Sequence, residues 1–297
     1  RVQATYGIGT GPRANLAGSL WMMAAMAAFA VEDAFIKAAS ATLPAWQVLI
    51  LFGLGGAALF AVAARARGER ILTRAALAPS MRLRAAFEVT GRLFYMLAIA
   101  LTPLSSATVI LQATPILVVG AAALILGERV GWRRWLAILI GLTGVLVILR
   151  PGGEGFSALS LLAVIGTLGF AGRDLASRVA PPSLGPLVLG VYGFLAVVAA
   201  GALLGLIAGS APVWPPGRAA LCIGGAVLAG VVAYGSLMVA MRTGDVSAVT
   251  PFRYTRLVFA IGLGMAVFGE TPDAAMIAGA GLIVLSGLFI LGRGRRA

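Results

Sequence analysis

The chain has no histidine and one cysteine, Cys222, in 297 residues. The first absence excludes imidazole acid–base chemistry and His-ligated metals, so any proton coupling has to run through carboxylates or another group. The second excludes an internal disulfide. Cys222 lies inside an apolar run, so it says nothing of redox compartment. Charge is also scarce. Only 11% of residues are Asp, Glu, Lys or Arg, where a soluble domain carries about 25%. Most of this chain cannot face water, which argues against a soluble fold. Alternating segments of about ten residues, the mark of a transmembrane barrel, are missing too.

What the chain has instead is apolar: 60% hydrophobic residues and a mean hydropathy of +1.01. Ten apolar runs are long enough, or nearly so, to cross a bilayer core of about 30 Å as helix. They fall near 15–38, 44–64, 84–101, 105–126, 133–149, 157–176, 184–208, 218–241, 246–268 and 273–292. The expected fold is an all-α polytopic membrane protein of ten transmembrane helices. Residues 1–13 form a polar, Gly-rich N-terminal tail without a cleavable signal pattern, 14–292 a single ten-helix domain, and 293–297 a C-terminal tail.

The net charge of +13 does not form a nucleic-acid patch, because the basic residues stand in short clusters between apolar runs. With the N-terminus inside, 16 basic residues fall in cytoplasmic segments and 3 in those opposite. That split follows the positive-inside rule and predicts both termini on the cytoplasmic side. Trp46, Trp132, Trp135 and Trp214 lie at run ends, where indoles anchor at the interface. Gly7-x-Gly9-x-Gly11 follows no strand and is not a nucleotide loop. Gly201-x-x-x-Gly205 and Gly205-x-x-x-Gly209 share one helix face, as close helix packing in lipid requires.

An internal repeat organises the runs. Ser105 falls on Ser247, Thr108 on Thr250, Gly127 on Gly269, Glu128 on Glu270 and Leu149 on Leu291, each pair 142 residues apart. Phe29, Ala30, Asp33 and Lys37 fall on Phe170, Ala171, Asp174 and Arg178 at an offset of 141. Repeat one is 14–150 and repeat two 151–292. Five helices is an odd number, so the second half enters the membrane from the other side. Such an inverted repeat exposes a site between its halves to each face in turn.

Ionisable residues within spans are costly and default to functional candidates. Glu88, Arg92 and Tyr95 share one face of the third run at i, i+4 and i+7. Arg253, Tyr254 and Arg256 lie on the ninth. Trp21, Phe87, Tyr95 and Tyr234 are positioned to offer aromatic surface. Pro115 and Pro251 interrupt corresponding runs, which points either to a binding site or to packing kinks. Asp33 and Asp174 read as structural ion pairs, with Lys37 for Asp33, or as gating groups. Glu128 and Glu270, at helix ends, read as turn or capping residues. Glu88 can pair with Arg92 on its own helix, which leaves Arg253 and Arg256 without an obvious local partner. The expectation is that Arg256, with Arg92 or Arg253, meets a substrate carboxylate, while Glu88 tunes the pair or meets the amino group. A network locking the halves together is the alternative.

Ten spans in two inverted halves, each with Gly-Glu before its last helix (Ile125-Leu126-Gly127-Glu128 and Val267-Phe268-Gly269-Glu270), resemble the EamA-type permeases of the drug/metabolite transporter superfamily. Within that superfamily the chain looks most like bacterial exporters of aromatic and other neutral amino acids. The resemblance implies a multi-pass inner-membrane exporter with a central cavity between the halves and no soluble cofactor. The partners implied are a small-molecule substrate, an amino acid, and the lipid bilayer, with no nucleic acid. The expected function is secondary export of neutral, aromatic amino acids by alternating access; export of another small metabolite or drug is the alternative. A membrane-embedded enzyme would need a nucleophile, metal cluster or acid–base pair at the interface. A passive channel would need a continuous lined pore.

Overall fold

The computed structural model describes residues 11–101, 110–149, 159–268 and 273–291. Ten helices of twelve residues or more run through them: α1 Pro12–Ser40, α2 Ala45–Ala66, α3 Pro79–Leu101, α4 Thr114–Ile125, α5 Trp132–Leu149, α6 Ser160–Arg178, α7 Pro186–Ala208, α8 Gly217–Met241, α9 Thr255–Phe268 and α10 Ala274–Leu291. Each expected run carries one. α1, α2, α7 and α8 are each long and apolar enough to span a membrane alone.

Two runs are not single helices. Ile110 and Leu111 are helical, Gln112 and Ala113 turn, and α4 starts afresh with Pro115 in its first turn. In the other half a helical turn at Val246–Val249 passes into a 3-10 segment, Thr250–Tyr254, before α9 begins. The cause is the same in both. Proline lacks the N–H that would bond four residues back, and its ring crowds that carbonyl. Pro115 and Pro251 therefore break their spans at nearly matching places in the two halves.

The helices pair as α1 with α8, α3 with α6, α2 with α7 and α5 with α10. Exchanging the halves turns the first pair into the second and maps the other two onto themselves. The smaller contacts, α3 with α7, α2 with α8, α4 with α6 and α1 with α9, also occur in exchanged sets. This is the pattern two facing copies of one five-helix unit produce. The crossing of α3 and α6 is very close. A Cβ on Gly169 would lie 2.5 Å from the Gly91 nitrogen and 2.6 Å from its Cα. Backbone meets backbone there, and only glycine permits it. Gly201 and Gly205 do the packing expected of them, against Leu49, Ile50 and Trp46 of α2. The apolar centre is aromatic: Phe52, Phe60 and Tyr234 surround Phe194 at centroid distances of 5.0, 5.6 and 5.6 Å.

One end of the bundle is basic. Arg84 lies in the second turn of α3, Arg134 in the first turn of α5, Arg178 ends α6 and Arg242 follows α8. Long-range bonds tie these ends into one surface: Arg84 to Ser177, Arg178 to the carbonyls of Met241 and Gly244, Arg242 to those of Ala180, Pro181 and Leu184, and Arg134 to Asp245.

Candidate functional site

The charged residues of the spans gather between the halves in two layers. The layer nearer the basic end is sealed. Glu88 of α3 is fully buried. Its Oε1 accepts from Arg173 of α6 at 3.1 Å, and its Oε2 accepts the Tyr234 hydroxyl at 2.5 Å. Arg84, one turn earlier on α3, donates to the Ser177 hydroxyl at 2.8 Å, the Leu189 carbonyl at 3.0 Å and the Tyr234 oxygen at 2.5 Å. Arg173 donates its other edge to Asp174 at 2.8 Å, and Asp174 also accepts from Arg253. Every buried carboxylate here has a guanidinium, as a charge away from water requires.

Two expectations are completed by this arrangement. Glu88 forms the expected ion pair with Arg92 on its own helix, at 3.7 Å, but its hydrogen bonds go to Arg173 and Tyr234, both in the other half. Arg253 and Arg256 have no partner on their own segment, as expected, but find one elsewhere: Asp174 takes the first and Asp33 the second. Asp33 pairs with Arg256; the local pair expected with Lys37 falls on a side chain outside the described ones. The two aspartates are mates under the repeat, yet both of their arginines come from the second half, three residues apart across the junction of the 3-10 segment and α9. Sequence spacing on single helices could not reveal pairs that form between helices.

The second layer is open. The Arg256 Nε donates to Asp33 Oδ2 at 2.9 Å. The Asp33 side chain is 53% exposed and that of Arg256 30%. Yet Asp33 lies four, seven and eleven residues after Phe29, Met26 and Met22, all buried, and so on their inward face of α1. An exposed carboxylate on an inward face means that a space between the helices reaches solvent. Arg256 also lies over the Phe29 ring at 5.1 Å, and Arg92, 17% exposed, over Phe170 at 5.8 Å. Tyr95 meets the same Phe170 edge-on at 5.8 Å. This layer therefore combines two arginines, an acid and aromatic faces on α1, α3, α6 and α9.

Glu32 belongs beside it, and reading the sequence for helix-local pairs missed its place. It is 2% exposed, with electrostatic reach to Arg92, Asp33 and Arg256. Its Oε2 has no hydrogen-bond partner among the described residues. The signal was present: two adjacent acids on α1 cannot both face one counter-ion.

The remaining candidates are placed as follows. Phe87 is half-buried and packs on Gly172 of α6, at the sealed layer. Tyr234 belongs to that layer entirely. Tyr254 is buried away from it, against Gly141, Val145 and Ile283 of α5 and α10. Trp21 is 46% exposed beside exposed Leu20 and joins neither layer. Among the described residues no cluster of three Cys, Asp or Glu could hold a metal.

Glu128 has an unforeseen target. Gly127 adopts φ +66 after α4, and the Glu128 N–H returns to the Ala122 carbonyl at 3.2 Å. That is the left-handed helix ending in which glycine is favoured. It turns the Glu128 carboxylate away from its own helix and onto the other half. There Oε2 accepts the Val246 N–H at 3.1 Å, and Oε1 accepts the Ser247 N–H at 3.0 Å and hydroxyl at 2.6 Å. It caps, as expected, but across the repeat.

A twice-repeated helical bundle with buried charge between its halves defines a polytopic membrane transporter. The chain belongs to the EamA-like transporter family, which matches residues 16–150 and again 158–292. It is 29% identical to a riboflavin transporter of Vibrio cholerae over 93% of both chains, and 31% identical to a pseudopaline exporter of Pseudomonas aeruginosa over 91% of this chain and 94% of that one. It is 27% identical to an S-adenosylmethionine uptake transporter of Rickettsia bellii over 70% of this chain and 71% of that one. A solved structure, 22% identical, superposes with a TM-score of 0.78 over 97% of this chain and 99% of the other, which supports the fold. The superfamily resemblance stands. The narrower likeness to aromatic amino-acid exporters has no support among these relatives, whose names give other small molecules and both directions of transport.

Proposed function

We propose that the protein is a secondary transporter, working by alternating access, for a small metabolite carrying both a positive and a negative group. The substrate lies between α1, α3 and α9. Arg256 and Arg92 face its anionic group, Asp33 and Glu32 its cationic group, and Tyr95 and Phe170 its apolar part. One observation carries the reading: Asp33–Arg256 is an ion pair exposed on an inward face, while the pairs of the layer below are sealed. A solute can compete for the first and cannot reach the others. Glu88, bound to Arg173 and Tyr234 in the sealed layer, holds the halves together, Arg253 is taken up by Asp174 within the second half, and the acid role expected of Glu88 passes to Asp33 and Glu32. The membrane proposed is the bacterial inner membrane. Neutral amino acids, aromatic ones included, are one member of the substrate class; the names of the relatives favour the broader class of small metabolites.

Flux into proteoliposomes tests this with a panel of zwitterionic metabolites, their amides and their deaminated acids. The expected result is saturable, competable flux of zwitterions, discriminating against both single-charge analogues. Arg256→Gln should lose discrimination against the amide by about 10- to 100-fold, the weight of a hydrogen bond to a charged group. Asp33→Asn should do the same for the deaminated acid. Non-saturating flux would mean a pore. A folded Arg256→Gln protein with wild-type flux and discrimination would overturn the site.

A further inference from the structure

The corner where α8 gives way to the broken ninth span is held from every side by side chains. Asn15 of α1 accepts the Asp245 N–H at 2.7 Å and donates to its carboxylate at 3.2 Å. Arg178 of α6 donates to the carbonyls of Met241 at 3.0 Å and Gly244 at 2.8 Å. From the first half come Glu128, with its three bonds to Val246 and Ser247, and Arg134, which donates to the Ser247 hydroxyl at 2.5 Å and to Asp245 at 2.8 Å. Glu128 is buried, as are Val246 and Ser247. These contacts close the basic end directly below the sealed charge layer.

We infer that the Glu128 carboxylate on Val246 and Ser247 is a latch between the halves, released each time the basic end opens. Three features separate a latch from a fixed strut. The contact between the halves here is polar, three bonds on the Glu128 carboxylate with those of Asn15 and Arg134 beside it, so it can part as a unit; an interdigitated apolar interface cannot. Each partner is carried by a segment next to a break: Glu128 follows the far end of α4, which starts at the Gln112–Ala113 turn, and the target leads straight into the 3-10 segment Thr250–Tyr254. Each side can therefore swing on its own hinge. Finally, the two sides belong to different halves, whose relative motion is what alternating access consists of. The inference rests on the carrier reading for its purpose, but the motion can be measured without knowing the substrate.

Spin labels at Arg129→Cys, beside the latch, and at Ser183→Cys, in the exposed α6–α7 connection of the other half, on a Cys222→Ser background, report the separation of the halves at this end. In lipid nanodiscs the expected distance distribution has two populations. Glu128→Gln, which removes the charge and one acceptor, should raise the ratio of longer to shorter on the order of tenfold, as loss of one charge-assisted bond implies. Ser247→Ala, a milder change that keeps the backbone donors, should shift it the same way and less. A single short distance in all three proteins would overturn the latch. Exchange of distances without saturable flux of any panel compound would uphold the latch and sink the carrier reading. Flux without exchange would do the reverse.

Discussion

Asp33 and Asp174 are the same residue twice, and their surroundings have made them different. Asp174 is fully buried between Arg173 and Arg253, while Asp33 is exposed beside Arg256. Removing one partner from a buried pair leaves an uncompensated charge and costs about 3–5 kcal/mol; an exposed pair is worth about 1 kcal/mol or less. Asp174→Asn should therefore markedly lower the thermal unfolding midpoint of the purified protein. Asp33→Asn should leave that midpoint nearly unchanged and impair flux. Equal destabilisation by both would assign Asp33 to the scaffold. The sequence repeat made the two aspartates legible as a pair, and as gating or structural candidates. It could not show that their arginines would be Arg253 and Arg256, because those pairings join helices more than 70 residues apart in the chain. Arg84 was hidden for a related reason. Its position next to a cluster of loop arginines reads as an interfacial charge, whereas it is bent inward onto Ser177, Leu189 and Tyr234.

At the scale of elements, apolar run length was a good guide because a helix is the one open-chain structure that satisfies its own backbone in lipid. All ten runs carry helix, and the glycine face of α7 packs where its spacing indicated. What hydropathy could not resolve was the interior of runs four and nine, which are apolar through their breaks. The prolines gave that away, and the structure places a turn before one and a 3-10 segment around the other. If the ninth-span break is a working hinge, Pro251→Ala should regularise it. Flux is then expected to fall several-fold while the unfolding midpoint holds or rises, since proline in a helix interior costs about 3 kcal/mol. Unchanged flux would show that the break serves packing alone. The Gly-Glu signature was likewise visible in sequence, but its purpose was not. Only the turn at Gly127 shows that the carboxylate leaves its own half.

For the whole molecule, the pairing of helices returns the same set when the halves are exchanged, while the charges do not. Leu228, Val232 and Gly235 stand where Glu88, Arg92 and Tyr95 have their repeat positions. Shape was kept and polarity was specialised. The basic end fixes an expected orientation: with arginines retained inside, the connection between α2 and α3 is cytoplasmic and that between α7 and α8 is not. Single cysteines at Arg70 and Ala211, on a Cys222→Ser background, test this with an impermeant thiol reagent on intact cells. Labelling of Ala211→Cys and not of Arg70→Cys is expected, and the opposite pattern would invert the molecule.

The stretch from Val246 to Arg256 holds the Glu128 contact at its start, Arg253 on Asp174 near its middle, and Arg256 on Asp33 at its end. Eleven residues thus join the closure of one end to the exposed layer. Thermodynamic linkage makes any such connection reciprocal. By whatever factor a solute at Arg256 changes the equilibrium between held and released corner, releasing the corner changes the affinity for that solute by the same factor. Reading out and reading in would then be one property of a single segment, measurable from either end.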